Sequence, residues 1–175
     1  MRGPVIGKTM LHGYAGSYAR QPDMVVDTHP LEGDEGLRFG DAVVYGTSGA
    51  VKPFGAEGTA EAFLGVAVKE IKSTTDYLNQ NEGRYQPDEA VPVMKRGCVN
   101  VICQSGTPKP GGKVYIRTKA NPAKPNAVVG GFEAAEDQRG EVTYTELLTN
   151  AQWKGTSDAR GCGVVYSNKE QCIRR

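Results

Sequence analysis

The chain has 175 residues, 38% of them apolar, with 23 glycines and 10 prolines, and its 21 basic and 20 acidic residues leave a net charge of +1. That is enough apolar material for one domain with a core. The interspersed charge excludes the basic stripe of a nucleic-acid binder. No run approaches the roughly 20 apolar residues that cross a bilayer as a helix, and the opening MRGPVIGKTMLHGYAG lacks the continuous apolar stretch of a signal peptide.

Residues 1–36 show no sustained periodicity and are punctuated by glycines and by Pro4, Pro22 and Pro30; within them only Met24-Val25-Val26 is strand-like. This segment reads as an extended N-terminal arm, which at about 3.3 Å per residue reaches many tens of ångströms. Residues 37–175 read as a single β-rich domain. Ala42-Val43-Val44-Tyr45 and Val51-Lys52-Pro53-Phe54 flank a glycine-rich turn, which predicts a hairpin. Phe63-Leu64-Gly65-Val66-Ala67-Val68 is the strongest apolar run, and its length and flanking glycines favour a buried strand over a helix. Ser73 to Gln86, around Tyr77 and Tyr85, reads as a loop.

Val99, Val101 and Cys103 alternate with Asn100 and Gln104, the pattern of a half-buried strand. Gly106 to Gly112, with Pro108 and Pro110, is a turn that neither helix nor central strand accommodates. Val114 to Arg117 resumes the sheet, Val128-Val129 leads toward Phe132, and Glu133 to Gly140 has room for a helical turn. In Thr143 to Trp153, Tyr144, Leu147, Leu148 and Ala151 sit at helix-compatible spacing, while the threonines suit a strand equally well. Gly163 to Tyr166 is a last strand. Eight or so short strands at regular spacing predict a mainly β fold. The expectation is a compact β-barrel or jelly-roll-like sandwich of short antiparallel strands with at most one short helix.

Catalytic signals fail on spacing or partners, so no enzyme, cofactor or metal is expected. His12 and His29 both lie in the arm, and Thr47-Ser48-Gly49 lacks the preceding glycine of a nucleophile elbow. Gly106 to Lys113 is no phosphate loop, because Val114 stands where a magnesium-binding Ser or Thr is needed and two prolines remove amide donors. Cys98, Cys103, Cys162 and Cys172 form no CxxC pair and read as packed or free thiols of a chain made in the cytosol. Tyr14, Tyr18, Tyr77 and Tyr85 fall in loop-like segments, where amphipathic rings can anchor an interface. Arg20 and Arg38, beside acidic neighbours, can pair across one.

The segments GYAGSYARQPDMVVDTHPL, RFGDAVVYG, FLGVAVKEI, YLNQNEGRYQPDEAVPVMKRGCVNVICQSG, GGKVYIRT and WKGTSDARGCGVV together resemble a structural cement (head decoration) protein of tailed bacteriophages. The resemblance runs from about Gly13 to Val165, and Asp88 stands where that pattern has a glycine. It implies a non-enzymatic virion protein, made in the host bacterial cytoplasm. Such a protein binds the phage major capsid protein on the outer capsid surface and staples neighbouring capsomers against the pressure of packaged DNA. It also implies a homo-oligomer, dimer or trimer. Tyr14, Tyr18, Arg20, Asp23, Arg38, Tyr77 and Tyr85 are then the candidate capsid or subunit contacts. The alternative is a carbohydrate-binding virion surface module that uses Tyr77 and Tyr85 as stacking platforms.

Overall fold

The structure, a computed structural model, describes residues 11–56, 58–70, 83–158 and 161–168. Among these the chain forms β1 (Tyr18–Pro30), β2 (Leu37–Arg38), β3 (Ala42–Tyr45), β4 (Val51–Pro53), β5 (Phe63–Ala67), β6 (Arg84–Tyr85), β7 (Ala90–Ser105), β8 (Lys113–Arg117), β9 (Phe132–Glu133), β10 (Gln138–Arg139), β11 (Val142–Thr143), β12 (Thr145–Trp153) and β13 (Cys162–Asn168). The only helical turn among the described residues is a 3-10 turn at Thr47–Gly49, inside the expected hairpin of β3 and β4. The fold is mainly β, as the punctuation of short apolar runs predicts.

One strand organises the molecule. β7 is 16 residues long and serves two sets of neighbours in succession. Its first half lies between β1 and β5, with Val26 and Val66 both opposite Met94. Its second half pairs with β13 from Arg96 to Ile102 and with β9 at Cys103 and Ser105. From β9 the pairing passes to β8, to β12, to β13 and back to β7, so these five strands close a ring. A second ring runs from β7 through β5, β3 and β4, and a single bridge between Leu31 and Val51 returns it to the end of β1. The first ring closes through ladders and the second through one contact.

The two rings explain the apolar run of β5. Val66 and Phe63 face one core together with Val99, Val101, Val114, Ile116, Phe132, Leu148 and Trp153. Leu64 and Ala67 face a second core with Leu31, Leu37, Val43, Val51, Val91 and Val93. A strand buried on both faces has no use for polar alternation. Gly65 sits where a Cβ would collide with the Met94 carbonyl, which lets β5 lie close on β7. Where β7 passes from one set of neighbours to the other, Gly97 takes φ +133° and leaves no room for a side chain against Met24.

Several expectations are corrected. Of the expected arm at 1–36, residues 1–10 lie outside the described part. From Tyr18 onward the segment is strand and core: β1 runs antiparallel to β7, and Leu31 is buried in the second core. Its glycines and prolines hide a strand because β1 is interrupted. Between the pairs Arg20–Cys98 and Val25–Arg96, the four residues 21–24 lie opposite the single Gly97 of β7, a bulge in which Pro22 needs no ladder hydrogen bond. Thr143 to Trp153, left open between helix and strand, is resolved as strand from Thr145 to Trp153, because its edge completes the ladder to β8 and its Trp153 fills the first core. Glu133 to Gly140 holds no helical turn; it spans the end of β9 and β10, which pairs with β11.

The resemblance placed Asp88 at a glycine position, and the backbone shows why glycine fits there. Glu89 N–H donates to the Gln86 carbonyl at 3.1 Å, closing a turn with Pro87 at its second position. Asp88, at the third, takes φ +64°. That is the geometry of a type II turn, in which the third residue needs a positive φ.

Candidate interaction surface

The chain enters the body through a short clamp. Ser17 N–H donates to the Tyr14 carbonyl at 3.0 Å, making a turn whose Gly16 N–H donates to the Asn100 carbonyl at 2.8 Å. Gly16 takes φ +78°, and a Cβ there would meet Gly40 and Lys69 backbone at 2.8 and 3.0 Å. The Asn100 side-chain amide donates to Ser17 Oγ at 2.8 Å and to the His12 carbonyl at 3.1 Å. His12 in turn donates its N–H to Asp158 at 3.0 Å and sets its Nε2 at 2.8 Å from the Thr156 carbonyl. Asn100 was expected to face solvent as the polar half of an alternating strand. It is buried because this segment lies over it.

The clamp presents an apolar surface. Leu11 is 52% exposed, Tyr14 63%, and Ile102, the next residue on Asn100's side of β7, 53%. The Lys69 ammonium sits 4.6 Å from the centre of the Tyr14 ring. Tyr18 Oη donates to Glu70 at 2.5 Å, and its partial burial together with that carboxylate raises its pKa. Tyr14 and Tyr18 are therefore brought together with Lys69 and Glu70 at the entry of β1.

The other sequence-predicted residues scatter. Asp23, in the β1 bulge, is exposed and ion-paired with Arg96. Arg20 lies opposite Cys98 through its backbone, and its side chain falls outside the described part. Arg38 is exposed on β2 and pairs with Arg84 in the ladder to β6. Tyr77 lies outside the described residues. Tyr85 is corrected: it is 2% exposed, packs edge-on against Phe39 and donates its hydroxyl to the Val68 carbonyl at 2.5 Å. Burial pushes its pKa up to about 12. A ring so enclosed offers no stacking face.

A groove that sequence reasoning missed lies where the two rings part. It has a volume of about 1030 Å³ and is lined by Asp27, Tyr45 and Lys95, by Phe63 and Leu64 of β5, and by the run from Glu146 to Ala151 on β12. Lys95 pairs with Asp27 at 2.7 Å and donates to the Tyr45 hydroxyl at 3.0 Å. The hydrogen bond from Lys95 holds the Asp27 carboxyl below the usual range. Across the groove Glu146 accepts the Ala60 N–H at 2.7 Å. No local motif marks these residues, since they come from five separate stretches of chain.

The most concentrated charge is buried elsewhere, at one end of the ladder-closed ring. Arg117 meets Glu133 at 2.6 Å and Asp137 at 2.5 Å, and Asn121 donates to Asp137 at 3.0 Å. Burial raises the Glu133 pKa above the usual range despite Arg117, and its Oε2 has no hydrogen-bond partner. Asp137 is also pushed up by burial, but Arg117, Asn121 and Lys124 outweigh this and hold it low. The group joins β8, β9 and the strand-to-strand loops, and its charges neutralise one another.

The described surface therefore offers contact faces: an apolar entry patch and a groove. A family model described as "Structural cement protein (E217 gp24/Pam3 gp6)" matches residues 4–168. The chain belongs to this structural cement family, which gives it a capsid-associated, structural role. A chain from a solved structure titled "The capsid of Myoviridae Phage XM1" has the same fold, with a TM-score of 0.65 at 16% identity over 94% of this chain and 96% of that one. No curated protein matches.

Proposed function

We propose that this protein binds the major capsid protein on the outer surface of a phage capsid and staples neighbouring capsomers, stabilising the expanded shell against internal DNA pressure. Membership of the structural cement family over residues 4–168 carries this reading. The physical rationale is linkage. A ligand that binds only the expanded lattice stabilises it by mass action, and joining two or three copies multiplies avidity by about 10²–10⁴. The protein is accordingly a homo-oligomer, dimer or trimer. The exposed apolar side chains of Leu11, Tyr14 and Ile102, on and beside the clamp, are the contact residues, since large exposed apolar and aromatic side chains serve as interface anchors.

Co-sedimentation with expanded empty capsids of the phage that encodes the chain tests this. The wild-type protein is expected to saturate the shell and raise its disruption temperature. Tyr14→Ala and Leu11→Asp are each expected to weaken binding by about tenfold, the scale of an interface anchor. A wild-type protein that stays in the supernatant overturns the function. Full occupancy by both variants overturns the patch alone.

A further inference from the structure

Residues 13–17, GYAGS, carry one large side chain, and the other four residues are fitted to the body. Gly13 takes φ +128°, and a Cβ there would meet Ser17 Oγ at 2.8 Å and the Asn100 amide nitrogen at 3.2 Å. Ala15 lies against Gly40, where a Cβ would come within 2.7 Å of the Ala15 methyl group. Gly16 is buried, and its carbonyl accepts the Lys69 N–H at 2.9 Å. Ser17 donates its hydroxyl to the Tyr14 carbonyl at 2.7 Å. Of the five, Tyr14 alone is exposed.

Asn100 lies beneath this turn and is 1% exposed. Its amide nitrogen donates to Ser17 Oγ and to the His12 carbonyl, while its Oδ1 is buried without a partner among the described residues. A buried polar oxygen with no hydrogen bond costs stability. Strand pairing gives no reason to accept that cost, because the Asn100 backbone already makes its own bonds: its carbonyl accepts the Gly16 N–H at 2.8 Å and its N–H donates to the Ser17 carbonyl at 3.0 Å. What the side chain adds is the donor.

We infer that Asn100 is a positioning residue for capsid binding: its amide fixes the 13–17 turn and so holds the Tyr14 ring in the pose that a partner meets. The inference rests on the reading of Tyr14 as a capsid contact given above. A ring held in place before binding loses less conformational freedom on contact than a mobile one, so the partner binds more tightly without any added contact. Asn100 itself is too deeply buried to touch a partner and acts only through the turn.

Two variants of the full chain test this. Asn100→Leu removes the donor and the unpartnered oxygen together at similar size, and Gly13→Ala crowds the same contact from the other side while leaving β7 untouched. Without capsid, each is expected to speed hydrogen exchange at 12–17 by about tenfold, the scale of one hydrogen bond, with 113–117 at the wild-type rate. On expanded empty capsids each is expected to weaken binding by about fivefold, and Asn100→Leu added to Tyr14→Ala should cost nothing further, because its effect runs through that ring. Unchanged exchange at 12–17 in both variants overturns the positioning role alone. So does faster exchange with wild-type affinity, or a double variant in which the two losses multiply. A wild-type protein that does not bind capsids overturns the function proposed above and this role with it.

Discussion

The two rings share β7 and yet hold themselves shut by different means. The ring of β7, β13, β12, β8 and β9 closes through a ladder at each of its five seams around Trp153, and a buried ionic group ties its loops. The ring of β1, β7, β5, β3 and β4 closes through one bridge at Leu31, with Glu32 N–H donating to the Val51 carbonyl at 2.8 Å beside it. Where backbone pairing runs out, apolar side chains supply the closure: Leu31, Val51, Leu64 and Val91 plug the weaker ring. Fewer backbone bonds mean a lower local opening energy, so amides of β3 and β4 should exchange faster than those of β8 and β12.

The largest effect should come from the ladder-closed ring. Arg117→Met leaves Glu133 buried without its cation and Asp137 with only the partly exposed Lys124, and is expected to lower stability by about 3–5 kcal/mol in urea unfolding. Replacing all three with apolar residues of similar volume should restore most of the loss. If Arg117→Met alone unfolds at the wild-type midpoint, the buried group is not what holds that ring.

Leu31→Ala targets the other closure and is expected to cost about 2–5 kcal/mol as a buried cavity. Its signature distinguishes the rings: exchange should rise at 42–53 and 63–67 before it rises at 113–117. Uniform acceleration across both would show that the rings open as one unit.

Acid should also separate them. Asp137 is held below the ordinary carboxylate range, so the stability it contributes is present above about pH 4 and is lost as pH falls through its lowered pKa. Glu133 is shifted upward and therefore adds nothing to that acid limb. Asp137→Asn should flatten the loss of stability between about pH 4 and pH 2, followed by thermal unfolding at each pH. An acid limb as steep as wild type would assign it to other carboxylates.

The smallest effect concerns the turn that leads into β7. Asp88→Gly relieves a positive φ and is expected to raise stability by about 0.5–1 kcal/mol, while Asp88→Val should lower it by at least as much. Equal melting temperatures for the two variants would contradict the turn assignment.

Local chemistry carried the strands whose pattern does not depend on distant partners. Phe63 to Val68 was readable as buried because an unbroken apolar run between glycines has few other uses. The positive φ at residue 88 was foreshadowed by the glycine expected there. Tyr85 was not readable, since polar neighbours make any tyrosine look exposed until Phe39 and the Val68 carbonyl are brought against it. Asn100 failed in the opposite sense, buried by a segment more than eighty residues away. β12 stayed ambiguous because Leu147, Leu148 and Ala151 satisfy the helical period as well as a bulged strand does.

By itself, then, the sequence determined the class of fold, the positions of most turns and, through its distinctive wording, the family. These rest on residue-by-residue preferences and on the order of apolar and breaker residues, which are local properties. Only the tertiary structure decided that β7 serves two rings, that residues 18–31 belong to the body, and that a groove opens between β5 and β12. Those outcomes depend on which strand edges remain after all others are paired, and pairing between strands far apart in sequence leaves no local trace.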